Sequence, residues 1–292
     1  MASAAGKSKT KALQAKMPPV SVVLCARNEA KRIRKSLEAI QAAGPDEIIV
    51  VDGNSSDETA AIAREFTDKV VVSMTGSLTA DRQVGIDATQ NELIAMIDAD
   101  HRILPDTLRG LYADMCEFDF DVVQADLGIE DTGFWTAAEN QAYDVFLNKP
   151  GPKTMIGTAP ALYRRRVFEV NKFDAHITKH KDDVDFFYRL SQKPDYRFGS
   201  GRTRVMQEHF SSLSDYIKKF AWYGIGDAEF CVKHKNRAPS MFFHLFVRYP
   251  LIRPVQAALK GKFKAIPYMI LMGWVRGGSM VRHLIAGVDC AD

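Results

Sequence analysis

Asp98 and Asp100 stand one residue apart in ELIAMIDADHRILPD, directly after an apolar run that reads as a buried strand and before Pro105, which opens the next helix. Two carboxylates so spaced at the C-terminal end of a strand can hold a hard divalent cation. Oxygen ligands suit Mg²⁺ or Mn²⁺ and leave coordination positions for phosphate oxygens. Alone the pattern is weak, because acids that merely solvate a strand end are commoner. Three other segments add to it. Ala26, Arg27, Asn28 and Glu29 follow the strand SVVLC; Asp52, Gly53, Asn54 and Ser55 follow EIIVV; Asp81, Arg82 and Gln83 lie on the helix before ELIAMI. In a parallel sheet the strand ends share one edge, where polar groups from several loops can surround a nucleotide. Taken singly, Asn28 and Ser55 are ordinary helix caps and Arg82 a solvated helix residue. His209, in VMQEHFSSL, can ligate a divalent ion through a neutral imidazole or sit as a buried, hydrogen-bonded histidine. His176 and His180 have no partner at ligand spacing and read as loop residues.

The elements that must position these groups alternate. SVVLC is a strand, followed by a helix from about Glu29 with Ile33, Leu37 and Ile40 on one face and Gly44-Pro45 at its end. EIIVVD is a second strand, and Ser55 with Glu58 forms a capping box for a helix through about Phe66. KVVVS, a helix near Thr79 to Thr89, and ELIAMI complete a βαβαβαβ run, the pattern of a largely parallel sheet. A helix to about Cys116 and a strand DVVQADL follow. The stretch from Gly128 to Pro160 reads as irregular, and helical patterns dominate after Ser212.

With 292 residues, 46% hydrophobic and 26% charged, the chain can bury a core of ordinary size. Cys25, Cys116, Cys231 and Cys290 form no CxxC pair, so neither a zinc cage nor a disulfide framework is indicated, and a reducing cytoplasm fits. The first 18 residues lack the apolar core of a signal peptide and read as a disordered basic tail. The net charge of +3 conceals an asymmetry: the first 230 positions carry 29 of the 39 basic and 34 of the 36 acidic residues. The end of the chain is therefore strongly basic, and Phe242, Phe243, Phe246, Tyr249, Phe263, Tyr268 and Trp274 interleave with its charges. That mixture favours an anionic membrane surface over nucleic acid; the other reading is a helical tail packed on its own domain. Ala265 to Val275 is too short an apolar run to span a bilayer. Localisation at the inner face of the plasma membrane is thus an expectation. No GxGxxG follows any strand, which argues against a dinucleotide oxidoreductase.

VSVVLCARNEAKRI, IIVVDGNSSDET, ADRQVGIDAT and MIDADHRILPD resemble the successive N-terminal blocks of family-2 glycosyltransferases. GTAPALYRRRVFEV is similar to their acceptor-side segment, KHKDDVDFFYRL to the block with the acidic catalytic motif, and the likeness runs through YIKKFAWYGIG, from about Pro19 to Gly226. It implies the α/β GT-A fold, a mainly parallel central sheet flanked by helices, here with a helical C-terminal appendage. It also implies inverting transfer from a nucleotide-diphosphate sugar, a UDP-sugar being favoured, to a glycan or polyprenyl-linked acceptor, with Mg²⁺ or Mn²⁺ as cofactor. Position by position, the nucleotide-sugar site would comprise Ala26, Arg27, Glu29, Asp52, Arg82, Asp98 and Asp100. The metal would lie on Asp98 and Asp100, with His209 as a further ligand. Asp182 falls at the Glu of the family's Glu-Asp pair and Asp183 at its catalytic Asp, although acids before FFYRL could equally cap a helix beginning near Val184. Two departures matter. Gly53 stands where the family often has a second carboxylate, which weakens the choice of uridine over guanosine. QxxRW, the mark of processive synthases, is absent, and only Lys218, Lys219 and Trp222 occur in the comparable stretch, so a single addition per encounter is expected. The implied organisation is a tail at 1–18, a catalytic domain at 19–230 with nucleotide-sugar and acceptor halves at 19–116 and 117–230, and a basic, aromatic-rich helical segment at 231–292. The competing readings are a sugar nucleotidyltransferase, which normally has a Gly-rich, Arg-containing loop where this chain has ARNEA, and a nucleotide-sugar-binding protein without turnover.

Overall fold

Seven consecutive buried residues form β1 (Val20–Ala26). Their alternation assigns Val20, Val22 and Leu24 to one apolar cluster and Val23 and Cys25 to another, so both faces of the sheet are covered by helices. The computed structural model describes residues 17–146, 149–177, 181–209 and 212–287. Residues 1–16 of the expected tail, His180 and Cys290 lie outside them. After β1 come α1 (Ile33–Ala42), β2 (Glu47–Asp52), α2 (Thr59–Ala63), β3 (Val70–Val72), α3 (Leu78–Asp87), β4 (Leu93–Met96), β5 (His101–Arg102) and α4 (Thr107–Phe118). Then follow β6 (Val122–Ile129), α5 (Phe134–Phe146), β7 (Gly151–Pro152), β8 (Ala161–Arg164), α6 (Arg166–Val170), α7 (Asp182–Ser191) and β9 (Phe198–Gln207). The chain continues through α8 (Leu213–Lys233), a 3₁₀ turn (Lys235–Arg237), α9 (Ala238–Phe243), a π-helical stretch (His244–Ile252), α10 (Arg253–Leu259) and α11 (Ala265–Ala286).

The chain folds as two compact units, one built from the segments ending at Leu127, Asp174 and Gln207, the other from those beginning at Gly128, Ala175 and Glu208. In the first, the strand order is β3-β2-β1-β4-β8-β6-β9-β5, with β7 paired to β9. β3, β2, β1 and β4 are mutually parallel, whereas β8 runs antiparallel to β4. The parallel half is the part the alternating sequence pattern foretells. Gly85 permits α3 to press onto it, because a Cβ there would meet Val23 Cγ1 at 2.5 Å and Val51 Cγ2 at 3.0 Å. In the second unit, Tyr216 and Phe220 of α8, Ala138 and Ala142 of α5, and Met269 and Met272 of α11 share a core. Gly224 lets α8 and α11 approach, since a Cβ would lie 2.3 Å from the Arg276 carbonyl.

Two local expectations are corrected. The capping box is not formed: α2 has no side-chain cap on Glu58 and is short. The Ser55 hydroxyl instead accepts from the Asn28 N–H, while Asp57 Oδ1 accepts from Thr59 N–H at 3.0 Å. The stretch after Gly128 is not irregular throughout, because it contains the 13-residue α5. Its inward face holds Ala138, Ala142 and Val145 but also Glu139, and a carboxylate at the centre of the buried stripe interrupts the apolar periodicity that marks a helix.

Candidate functional site

The ends of β1 and β2 are neighbours in register, Ala26 beside Asp52, and their loops are hydrogen-bonded together. Gly53 N–H donates to the Ala26 carbonyl at 2.9 Å, and Asn28, held at φ 57°, accepts from Ser56 N–H on its Oδ1 at 2.9 Å. Glu29 N–H donates to the Thr59 hydroxyl at 2.8 Å and Ala30 N–H to Asp57 at 3.2 Å. Asp52 is 2% exposed. Its Oδ2 accepts from Ser55 N–H at 3.1 Å, but its Oδ1 is buried with no partner among the described residues, a costly arrangement unless a ligand supplies a donor. The glycine after it has a steric reason: a Cβ at position 53 would lie 3.0 Å from Asp81 Oδ2 and 3.4 Å from Arg27 Cβ. A carboxylate there would also face the Asp81 charge.

β4 delivers Asp98 and Asp100 to the same edge. Arg82 of α3 reaches Asp98 Oδ2 with its Nη2 at 3.4 Å. Gln207, at the end of β9, donates to Asp100 Oδ2 at 2.8 Å, whereas Asp100 Oδ1 is a second buried oxygen without a partner among the described residues. Burial pushes the Glu29 carboxyl up, against the pull of Arg32, and the charges of Asp100 and Asp57 add to the rise. Asp98, Asp100 and His101 each offer an atom within 4.8 Å of the others, a separation that suits one ion. Sequence reading passed over His101. It is 1% exposed, and its Nδ1 accepts from the Asp98 N–H at 3.0 Å. In that tautomer Nε2 carries the proton, 3.8 Å from Asp100 Oδ1, so the ring braces the loop that presents the carboxylates. Its place directly after the second aspartate was the available signal.

The acid block lies in the first turn of α7, where the helix N-terminus favours negative charge. The helix starts at Asp182, two residues before the expected Val184. Its acids differ in surroundings. Asp182 is 3% exposed and Asp185 1%, with Asp185 held by Lys233 at 2.6 Å and His234 at 2.7 Å, while Asp183 is only partly buried. Lys181, just ahead, is bound 3.2 Å from Asp227, which also receives the Arg276 guanidinium. Helices α8 and α11 thus anchor the start of α7.

His209 belongs to this second unit. Its Nδ1 is 2.5 Å from Glu139 Oε2, and Lys219 Nζ is 2.7 Å from its Nε2. Glu139 also accepts from the hydroxyls of Tyr216, Tyr143 and Tyr268. Burial alone would raise the Glu139 carboxyl, but the Lys219 charge and the His209 and Tyr216 hydrogen bonds overrule it and hold it well below the usual range. A depressed carboxylate stabilises the fold fully above the ordinary value of 4.5 and loses that contribution as the pH falls below it. Glu139→Leu leaves Lys219 buried without its counter-charge and is expected to cost about 3–5 kcal/mol in urea unfolding at neutral pH. The loss should shrink in acid. An unchanged midpoint would mean the network contributes nothing.

Four parallel strands thus end on one acidic sheet edge. The model of glycosyl transferase family 2 matches residues 21–171, just over half of the chain, and the protein belongs to that family. An uncharacterized glycosyltransferase of Rickettsia felis is 31% identical over 100 residues, 33% of this chain and 35% of the relative. Glycosyltransferase AglE of Haloferax volcanii is 24% identical over 250 residues, 72% of this chain and 81% of AglE. The chain spans about a third of the length of the curated relatives it matches first, at 35% and 28%. Glucosyl-3-phosphoglycerate synthase from Mycobacterium tuberculosis, solved with Mg²⁺ and uridine diphosphate, superposes with a TM-score of 0.53 at 19% identity, covering 78% of this chain and 82% of that one. The fold is GT-A.

Proposed function

We propose that the enzyme transfers a sugar from a nucleotide-diphosphate donor, a UDP-sugar by preference, to a hydroxyl of a glycan or polyprenyl-linked acceptor, with inversion and without processive movement. The observation that carries the donor half is the pair of buried carboxylate oxygens on one sheet edge, Asp52 Oδ1 and Asp100 Oδ1, that lack partners among the described residues. Asp52 is assigned the nucleoside, with Ala26, Arg27 and Glu29 beside it, and Arg82 the base or diphosphate. Asp98 and Asp100 are assigned Mg²⁺ or Mn²⁺, since their oxygens and the orphaned lone pairs fit a hard cation. Such an ion, when bound, offsets the charge gathering on the leaving diphosphate. His209 is retained as a further ligand. Glu139 holds its Nδ1 side, so coordination goes through Nε2 and requires Lys219 Nζ, now 2.7 Å from it, to move away.

Asp183 is assigned the acceptor proton. As the acceptor oxygen forms its bond to the anomeric carbon, that carbon's bond to the diphosphate oxygen breaks on the opposite face, and the hydroxyl proton passes to the Asp183 carboxylate. Partial exposure supports Asp183 over its buried neighbours.

A thermal-shift panel of nucleoside diphosphates and their sugars, with and without Mn²⁺, tests the donor half. A ligand at about a hundredfold its Kd adds about 2.7 kcal/mol to the native state, a rise of several degrees. UDP or a UDP-sugar is expected to give it, more strongly with Mn²⁺. A shift with GDP alone would remove the uridine preference, and no shift with any nucleotide would remove the donor assignment.

A further inference from the structure

From Phe230 to residue 288 the chain contains no aspartate or glutamate, yet it holds ten lysines and arginines. Three of these serve the second unit itself: Lys233 binds Asp185, Lys262 binds Asp144 at 2.7 Å and Arg276 is buried on Asp227. Lys235, Lys260, Lys264 and Arg282 are exposed. The same segment exposes several apolar side chains to water. Leu251, Val255 and Leu259 recur at four-residue spacing, one stripe of a helix, and are 57%, 60% and 83% exposed. Phe263 follows at 66%, and on α11 Trp274 is 55% exposed. Ring contacts link Phe242 to Phe246 at 5.9 Å and Phe246 to Trp274 at 6.0 Å, so the exposed aromatics of α9 and α11 are continuous. The opposite side of α11, with Met269 and Met272, is buried in the core of the unit. One face packs and the other is left apolar, in a segment whose exposed charges are cationic.

We infer that this face, carried by α9, the π-helical stretch, α10 and α11, seats on a bilayer bearing anionic lipid headgroups, with Leu251, Val255, Leu259, Phe263 and Trp274 entering the acyl boundary. Charge selects the occupant. A second copy of the chain would bring an equally cationic segment against the first, whereas an anionic bilayer supplies both the counter-charge and the apolar phase. The helices lie in the interface rather than across it: among the described residues no helix is long and apolar enough to span a membrane. The inference stands on the exposed face alone and does not depend on the assignments at the sugar site.

Vesicle sedimentation of the full chain, without donor, tests it. The protein is expected to pellet with vesicles of phosphatidylcholine mixed with phosphatidylglycerol, to stay in the supernatant with phosphatidylcholine alone, and to be released by high salt. Lys235→Gln with Lys264→Gln should weaken partitioning about 25-fold, about fivefold for each charge. Leu259→Ser with Phe263→Ser should weaken it by about tenfold or more while leaving the melting temperature of the chain nearly unchanged, which shows that the variant is folded. Failure to bind anionic vesicles, or binding unaltered in both double variants, overturns the inference. So does a dimer in light scattering that the serine variant dissolves, because the face would then belong to a second copy.

Discussion

Asp183→Asn is expected to reduce turnover by about a hundredfold or more while leaving the melting temperature and the UDP-induced thermal shift nearly unchanged. Asparagine keeps the size of the side chain and can still accept from the Val184 N–H, which Asp183 Oδ1 now does at 2.7 Å, so the first turn of α7 keeps that contact. What it loses is the capacity to take a proton. The neighbours separate chemistry from architecture. Asp185→Asn weakens the contacts to Lys233 and His234 and should lower stability more than turnover. Asp182→Asn, at a 3% exposed position, should be milder than Asp183→Asn in turnover. An inactive Asp182→Asn beside an active Asp183→Asn would move the base one residue back. Full activity in both would make the whole block structural.

Much of the fold was legible because the first half obeys simple periodicities. Short apolar runs such as IIVV and LIAMI, of strand length and alternating with helical patterns, read as strands of a parallel sheet buried on both faces. The shared position of Ala26, Asp52 and Asp98 was legible for the same reason, since parallel strands place their C-terminal ends on one edge. The loops that join those ends were not. Ser55 looks like a local capping group in sequence, but it and Thr59 accept from the backbone of the β1 loop, and Asp57 accepts from Ala30 as well as from Thr59. A hydroxyl has no sequence mark that tells a local acceptor from a distant one. The Glu139 network was hidden by the same ambiguity: a buried carboxylate satisfied by three tyrosines, a lysine and a histidine reads, one residue at a time, as a break in an amphipathic pattern.

The remaining large effect concerns Asp100, whose two oxygens make opposite contributions in the absence of ligand. Oδ2 is satisfied by Gln207, but Oδ1 is buried without a donor among the described residues, a defect of about 1–3 kcal/mol. Asp100→Ala removes that defect, and the partly exposed Gln207 amide can turn to water. The melting temperature of the unliganded variant should therefore stay level or rise. Catalysis should respond in the opposite sense, with turnover falling about a thousandfold as charge on the leaving diphosphate goes uncompensated, and with the extra thermal stabilisation that Mn²⁺ adds to UDP disappearing. Asp98→Ala should also lose the Mn²⁺ increment. It further releases Arg82, now 3.4 Å from Asp98, and so should weaken metal-free UDP binding less than Arg82→Ala does. An Asp100→Ala variant that melts several degrees lower yet keeps its turnover and its Mn²⁺ response would show that the carboxylate holds the loop and not an ion, and the metal assignment would fall with it.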